Sequence, residues 1–342
     1  DAIKTLDERL KKISKELDRL LLFIPNILHE SVPEGLNPEH NVVIRDWGVK
    51  PDNKKFKDHI EICDNLQLTD FERASKMSGS AFPLYTKLGA KLERSLINYM
   101  LDFHIEKHGY SELMPPFLTT RNATTTTGQL PKLEDDMYYI ESDDLFCIPT
   151  AEVPVTNLYS NEILQEVDLP KKYVAYSACF RREAGSYGKD TRGLLRVHQF
   201  NKVEMVKFVS PNNSYDELEK LTKDAEEILQ SLNLHYRVLS LCKGDISFAA
   251  AKCYDIEVWA PGEQKYLEVS SCSNFESFQA RRGNIKFRSN TDQKVQYVHT
   301  LNGSGLATPR LMVALLETYQ NENGSISIPK PLQPYMGRDI IE

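Results

Sequence analysis

Residues 180–205 read FRREAGSYGKDTRGLLRVHQFNKVEM, and six of their side chains could do chemistry: Arg181, Glu183, Arg196, His198, Phe200 and Glu204. If the two ends of this stretch pair as antiparallel strands, alternation puts Arg181 and Glu183 on one face. On the return strand Arg196, His198, Phe200, Lys202 and Glu204 share a face, while Val197, Val203 and Met205 take the other, which reads as the core side. A wall of arginines and carboxylates around one aromatic ring suits a nucleotide. Guanidinium forks bind phosphate bidentately, and a ring gives a base something to stack on. A solvated hairpin face laced with salt bridges has the same composition, but an isolated Phe in the middle of that face favours the pocket.

The elements that must position these residues are legible from period and punctuation. Strands are expected at 173–183 and 197–209, with the glycine-punctuated loop between them. Residues 86–108 form the longest amphipathic helix, with Leu88, Leu92, Leu96, Tyr99 and Phe103 on one side and Gly109 as its stop. His104 and His108 stand one helical turn apart there and, with no third ligand in view, read as surface histidines. LTDFERASKM (68–77) is a helix with Thr69 as N-cap and Glu72 completing a capping box. Residues 34–68 look irregular with one short helix, and YSELMPPFL is a strand that Pro115–Pro116 confines to an edge or an interface. Hairpins follow at 137–148, turned at Ser142–Asp144, and at 255–271, turned at Pro261–Gly262. A helix at 213–232 leads to a strand near 235–242, and VQYVHTLN runs through GSG into a helix at 306–321. Strands joined by short hairpins imply an α+β fold, an antiparallel sheet with helices packed on one side. The sequence has neither the βαβ alternation nor the glycine fingerprints of Rossmann or P-loop folds.

The chain has 342 residues, 41% apolar and 27% charged, enough for a sizeable core. A net charge of −7 and a pI near 5.7 do not advertise a nucleic-acid binder, although a local basic patch can serve on an acidic protein. No run of about 18 apolar residues is present, so no membrane helix is expected. The start DAIKTLDERL is charged and amphipathic, unlike a signal peptide, which points to the cytoplasm. Six cysteines (63, 147, 179, 242, 253, 272) without a CxxC pair fit reduced thiols and no structural zinc. Residues 1–32 read as a separate unit before a domain at 33–342. Ile3, Leu6, Leu10, Ile13, Leu17, Leu20 and Ile24 make a narrow heptad seam that wants a partner helix. Pro25 and Pro33 end that helix, so the partner is expected upstream of Asp1 or on another subunit, the alternative being a helix docked on the domain.

The stretch FRREAGSYGKDTRGLLRVHQFNKVEMVKF resembles motif 2 of the class II aminoacyl-tRNA synthetases in its seryl-specific version. In order along the chain, FPLYTKLGAKLERSLINYML and GYSELMPPFL (82–118) are similar to motif 1, and TGQLPKLEDDMY (127–138) to an active-site loop. TAEVP (150–154) resembles the loop that holds the substrate amino group, YLEVSSCSNFESFQARR (266–282) a serine-rich family strand, and LNGSGLATPRLMVALLETYQ (301–320) motif 3. The resemblance runs from about residue 34 to the C-terminus. It implies serine activation by ATP and transfer to the 3′ end of tRNA(Ser). Arg181, Glu204 and Arg310 would be catalytic. ATP would meet Arg181, Arg182, Glu183, Val197, Phe200, Glu268, Val269, Ser270, Ser271 and Arg310, with Glu183 and Phe200 at the adenine. Arg310 would cover the other adenine face and reach the γ-phosphate, from a helix whose GSG entry offers free N–H groups to anions. Serine would meet Thr150, Ala151, Glu152, Arg181, Glu204 and Ser304, and Glu268 with Ser271 would hold Mg²⁺.

The resemblance also implies a homodimer through residues 82–118 and an N-terminal two-helix arm that reaches tRNA(Ser), of which only the end of the second helix is recognisable. Two other functions fit less well: an armless ligase that loads an amino acid onto a carrier protein, and a non-catalytic, synthetase-like regulatory module. The first resembles a zinc-dependent branch whose Cys and His ligands have no counterpart here. The second sits poorly with an intact set of Arg181, Glu183, Phe200, Glu204, Glu268 and Arg310.

Overall fold

A computed structural model describes residues 2–51, 56–184 and 192–342. Among them, eight strands make the main sheet: β1 (Val42–Trp47), β2 (Ser111–Leu113), β3 (Lys171–Phe180), β4 (Gln199–Val209), β5 (Tyr236–Ser240), β6 (Lys252–Ala260), β7 (Lys265–Asn274) and β8 (His299–Ala307). Their spatial order is β1-β5-β6-β7-β8-β4-β3-β2. Every neighbouring pair is antiparallel except β2 with β3, which run parallel. The expected hairpins are present, with β6 and β7 turning at 261–264 and a smaller sheet formed by Tyr139–Ile140, Leu145–Cys147 and Leu118–Thr120. YSELMPPFL is therefore not one strand: the two prolines divide it between the main sheet and the smaller one.

β1 was not expected, because its apolar residues do not alternate with polar ones. Val42, Val43 and Ile44 are all β-branched, which suits extended backbone, yet all three are exposed on an edge strand with a bulge between Val43 and Arg45. Of the glycine-punctuated loop between β3 and β4, residues 185–191 lie outside the described residues.

Six helices matter to the argument: α1 (Ala2–Leu21), α2 (His59–Leu66), α3 (Phe71–Ser78), α4 (Lys87–His108), α5 (Ser214–Ser231) and α6 (Thr308–Thr318). α4 ends at Gly109, whose φ of 67° is left-handed and natural for glycine. α3 starts one residue later than expected. Asp70, not Thr69, is its N-cap and accepts the Arg73 amide at 2.8 Å, because Thr69 is extended in a bridge with Tyr85. α4, α5 and α6 cover one sheet face. Leu92, Leu96 and Met100 of α4 and Leu311 and Leu315 of α6 are fully buried there against Val203, Met205 and Ile256. Each such side chain contributes about 1.5–3 kcal/mol by leaving water. The other face is not bare, as a one-sided helical layer would require. Short helices at Glu152–Thr156 and Phe278–Gly283 cap it, packing Val155 and Ala280 over Val206 and Phe208.

α1 buries no residue, and its seam stands in solvent, with Ile3, Leu6 and Leu10 all more than 60% exposed. Docking of this helix on the domain is thereby excluded. The segment after it is anchored: Asn26 donates through Nδ2 to the carbonyls of Ala249 and Phe275, both at 2.9 Å.

Candidate active site

β4 explains the odd polar face. Val203 and Met205 point into the main core, and the alternate residues point the other way. Of those, Val206 and Phe208 are covered by the second core, while Phe200, Lys202 and Glu204 are left to line a cavity of about 510 Å³. The β4–β8 register sets Ser304 directly opposite Glu204, and both face the cavity. Arg181, Glu183, Arg196, Val197, Glu268, Val269, Ser271, Arg310, Thr150 and Glu152 complete the wall from other elements.

One end carries the cations and the ring. Arg181 follows β3, its amide donating to the His198 carbonyl at 2.9 Å, and its guanidinium lies 5.2 Å from the Phe200 ring centroid. Glu183 takes φ +53°, a left-handed turn that brings its carboxylate onto Arg196 at 2.6 Å. Arg310, in the first turn of α6, donates through Nε to the Leu195 carbonyl (3.1 Å) and through Nη1 to the Glu268 carbonyl (3.1 Å). The Glu268 carboxylate lies 3.6 Å from the same guanidinium. Ser271 sits across the β6–β7 hairpin from Asp255, whose carboxyl is pushed up by burial and by the nearby Glu268.

The other end holds two buried carboxylates. The Glu204 carboxylate is ion-paired with the Lys202 ammonium at 2.5 Å. Glu152 accepts from Gln279 Nε2 at 2.7 Å and from Gln129 Nε2 at 3.4 Å, and its amide donates to Thr150 Oγ1 at 3.1 Å. Thr300 donates to Gln279 Oε1 at 2.7 Å, which leaves the Gln279 amide nitrogen aimed at Glu152. Burial, with the Glu204 charge second, pushes the Glu152 carboxyl up to about 7. Glu152 is thus a carboxylate in want of a cation. Gln129 and Gln279 lie inside the quoted motifs, but nothing in their spacing marks them as the groups that orient it.

Twelve of the fifteen residues named from the sequence line this one cavity, and three do not. The Ala151 side chain is buried in the second core. Ser270 is turned inward and donates to the Ser304 carbonyl at 2.7 Å, which makes it a support for Ser304. Arg182 points the opposite way from Arg181, over the Tyr138 ring at 5.7 Å. His198 also leaves the polar face: the chain is strand only from Gln199, and the His198 ring packs 5.4 Å from Phe82. The GSG segment is not the entry to α6. It lies within β8, three residues before α6, where Cβ atoms at Gly303 and Gly305 would meet Cys272 Sγ at 2.7 Å and His104 Nε2 at 2.4 Å. These glycines permit close packing, so an anion site at their amides is not supported.

His104 and His108 are likewise not surface residues. His104 is fully buried, its Nε2 is 2.8 Å from the Gly305 carbonyl, and its Nδ1 is 2.9 Å from His108 Nδ1. Burial pushes the His104 imidazole down to about 3, so it stays neutral and donates through Nε2. α4 thus supports the strand that carries Ser304. Glu93, one face over, accepts from Asn201 Nδ2 at 2.8 Å and from Thr308, tying α4 to β4 and α6.

The tRNA synthetase class II core domain (G, H, P, S and T) family matches residues 134–319. Serine–tRNA ligases of Chloroherpeton thalassium and of Geobacillus sp. (strain WCH70) are 59% and 60% identical to the chain. They align with 100% and 98% of it, and with 80% of their own lengths. The seryl-tRNA synthetase of Pyrococcus horikoshii, solved with ATP, superposes with a TM-score of 0.94 at 42% identity over 99% of this chain and 80% of that one. The cytoplasmic serine–tRNA ligase of Naegleria fowleri, solved with AMP, gives 0.91 at 34% identity over 99% and 81%. With these matches spanning both the sheet and the cavity, the chain belongs to the serine–tRNA ligase family of class II aminoacyl-tRNA synthetases.

Proposed function

We propose that the cavity joins L-serine to ATP as seryl-adenylate and then passes serine to the 3′ end of tRNA(Ser). The observation that carries this reading is the polarity of one cavity, with Glu152 and Glu204 buried at one end and Arg181, Phe200 and Arg310 at the other. Serine's ammonium lies at Thr150 and Glu152, and its hydroxyl between Glu204 and Ser304. A site that hydrogen-bonds a substrate hydroxyl leaves buried groups unpaired when alanine enters, so discrimination is large. Phe200 and Arg310 sandwich the adenine, Glu183 accepts from its amino group, and Val197 contributes backbone.

In the first step a serine carboxylate oxygen attacks the α-phosphorus, and the bond to the bridging oxygen breaks. Pyrophosphate leaves with the electron pair. Arg181 holds both the carboxylate and the α-phosphate, so positioning and charge stabilisation supply the catalysis and no side chain becomes a covalent intermediate. In the second step a hydroxyl of the tRNA terminal ribose attacks the carbonyl carbon and gives its proton to the adenylate phosphate, and AMP leaves with the electron pair of the broken carbonyl–oxygen bond. Glu268 and Ser271 offer hard oxygen ligands beside the buried Asp255, a donor set that fits Mg²⁺. When bound, the ion neutralises phosphate charge; Arg310 gives up its contact with Glu268 to reach the γ-phosphate. Serine-dependent exchange of pyrophosphate into ATP tests the reading, and its absence would sink it.

We propose further that two copies pair through residues 82–118. Most apolar side chains of α4 are consumed by the core, but Met114 is 85% exposed and Leu118 and the β1 residues Val42 and Val43 are also open. A monomer by sedimentation at micromolar concentration contradicts this. The six free cysteines suit a reducing cytosol.

A further inference from the structure

His59 opens α2, well outside the motifs that carry the chemistry, yet it is fully buried. Its Nε2 accepts the Leu194 amide at 3.2 Å, so the proton of the neutral ring sits on Nδ1. Nδ1 faces Glu263 Oε1 at 3.1 Å and Glu317 Oε1 at 3.5 Å. Glu317, near the end of α6, is fixed in turn. Its Oε1 accepts the His59 amide at 2.9 Å, and its Oε2 accepts the amides of Gly262 (2.8 Å) and Glu263 (3.1 Å). These three side chains lie close enough to hold a cation. With Nε2 engaged by an amide and Nδ1 protonated, His59 has no lone pair left to give one.

A different role follows from where Leu194 leads. Leu194 and Leu195 line the cavity, and the Leu195 carbonyl accepts Nε of Arg310. Arg310 stands two helical turns before Glu317 on α6. The contacts therefore close a ring: α6 through Glu317 to His59, His59 to Leu194, Leu195 to Arg310, and back along α6. Gly193 makes the fit possible, because at φ +56° a Cβ there would stand 2.3 Å from His59 Nε2. We propose that His59 is a positioning residue for ATP: it sets the height of the 194–195 backbone and thereby aims the Arg310 guanidinium. Nearby, exposed Arg192 and half-buried Asp58 meet only at 4.0 Å, and among the described residues nothing else of comparable strength holds the Leu194 amide. The proposal rests on the reading of Arg310 as an ATP contact.

The two hydrogen bonds of the ring can be separated by substitution. H59Q presents a side-chain oxygen near Nε2 and keeps the acceptor for Leu194, whereas H59N keeps a donor near Nδ1 and loses that acceptor. Pyrophosphate exchange, normalised to active sites counted by adenylate titration, reads the effect without contamination by unfolded protein. Expected for H59N is a rise in KM for ATP of about tenfold with KM for serine changed less than twofold, matching one lost buried hydrogen bond of about 1–1.5 kcal/mol. H59Q should stay within about threefold of the parent. Hydrogen exchange at the Leu194 amide in ligand-free protein tests the clamp independently of the reaction: it should quicken in H59N and not in H59Q. Equal behaviour of the two variants in both measurements, or a loss confined to the number of active sites, overturns the proposal. A parent without serine-dependent exchange, with the amide effect intact, removes the ATP reading and leaves the clamp.

Discussion

Glu152 makes the sharpest prediction, because burial holds it near half-charge at neutral pH. Its carboxyl is pushed up to about 7 by burial first and by Glu204 second, while Gln279, Lys202 and Asn302 pull the other way. The proposed contact with serine's ammonium needs the ionised carboxylate, so affinity should rise with pH through this range. With a pKa of 7 the ionised fraction is about 9% at pH 6 and about 91% at pH 8, a tenfold change in serine affinity or about 1.4 kcal/mol. At pH 7, binding should release about half a proton per serine, since the bound ammonium drives Glu152 to its charged form. Calorimetry in two buffers of different ionisation enthalpy reads that proton directly. E152Q, the same size but uncharged, should bind at least about tenfold more weakly at pH 8 and show no pH dependence between 6 and 8. Glu93 also lies up at about 7, but it bonds Asn201 and Thr308 away from the serine end, and E152Q leaves it untouched. Affinity that is flat from pH 6 to 8, with no proton released, would refute the placing of the ammonium at Glu152.

The other predictions concern ATP and the frame around it. F200A removes the ring proposed to stack on the adenine and should raise KM for ATP by about 1–3 kcal/mol equivalent, leaving KM for serine nearly unchanged; stopped-flow or exchange kinetics decide it. E268Q should raise the Mg²⁺ concentration needed for half-maximal exchange by about tenfold or more, read from a magnesium titration at fixed ATP. His104 has a folded pKa depressed to about 3 against an ordinary 6.5. The unfolded chain therefore binds the extra proton first, and this stability is present above pH 6.5 and lost as pH falls towards 3. About 2 kcal/mol should go by pH 5, and denaturant titrations should find that H104F lacks this part of the acid sensitivity. L96A, at a fully buried position of α4, should cost about 2–5 kcal/mol in the same titrations.

Much of this architecture could be read from residue order because each motif imposes a local pattern. The alternation in β4 marks Phe200 and Glu204 as facing away from Val203 and Met205, and Gly109 marks the end of α4. What escaped lacks such a pattern. β1 breaks the alternation rule because its apolar residues lie on an exposed edge. His104 sits on a helix where an i, i+4 histidine pair looks solvent-facing, and only the tertiary approach of Gly305 buries it. Ser270 and Arg182 neighbour functional residues in the sequence, but strand alternation and the turn after β3 send them elsewhere. His59, Gln129 and Gln279 act on the cavity through partners 127 or more residues away or across a loop, contacts that no local period encodes.

The central claim is that one cavity selects serine and activates it with ATP. Pyrophosphate exchange with a panel of amino acids at saturating ATP tests it most directly. The account predicts exchange with serine, at least about a hundredfold lower kcat/KM with alanine or glycine, and loss of that preference in S304A. Exchange with none of them, or a preference for alanine or glycine, would contradict it.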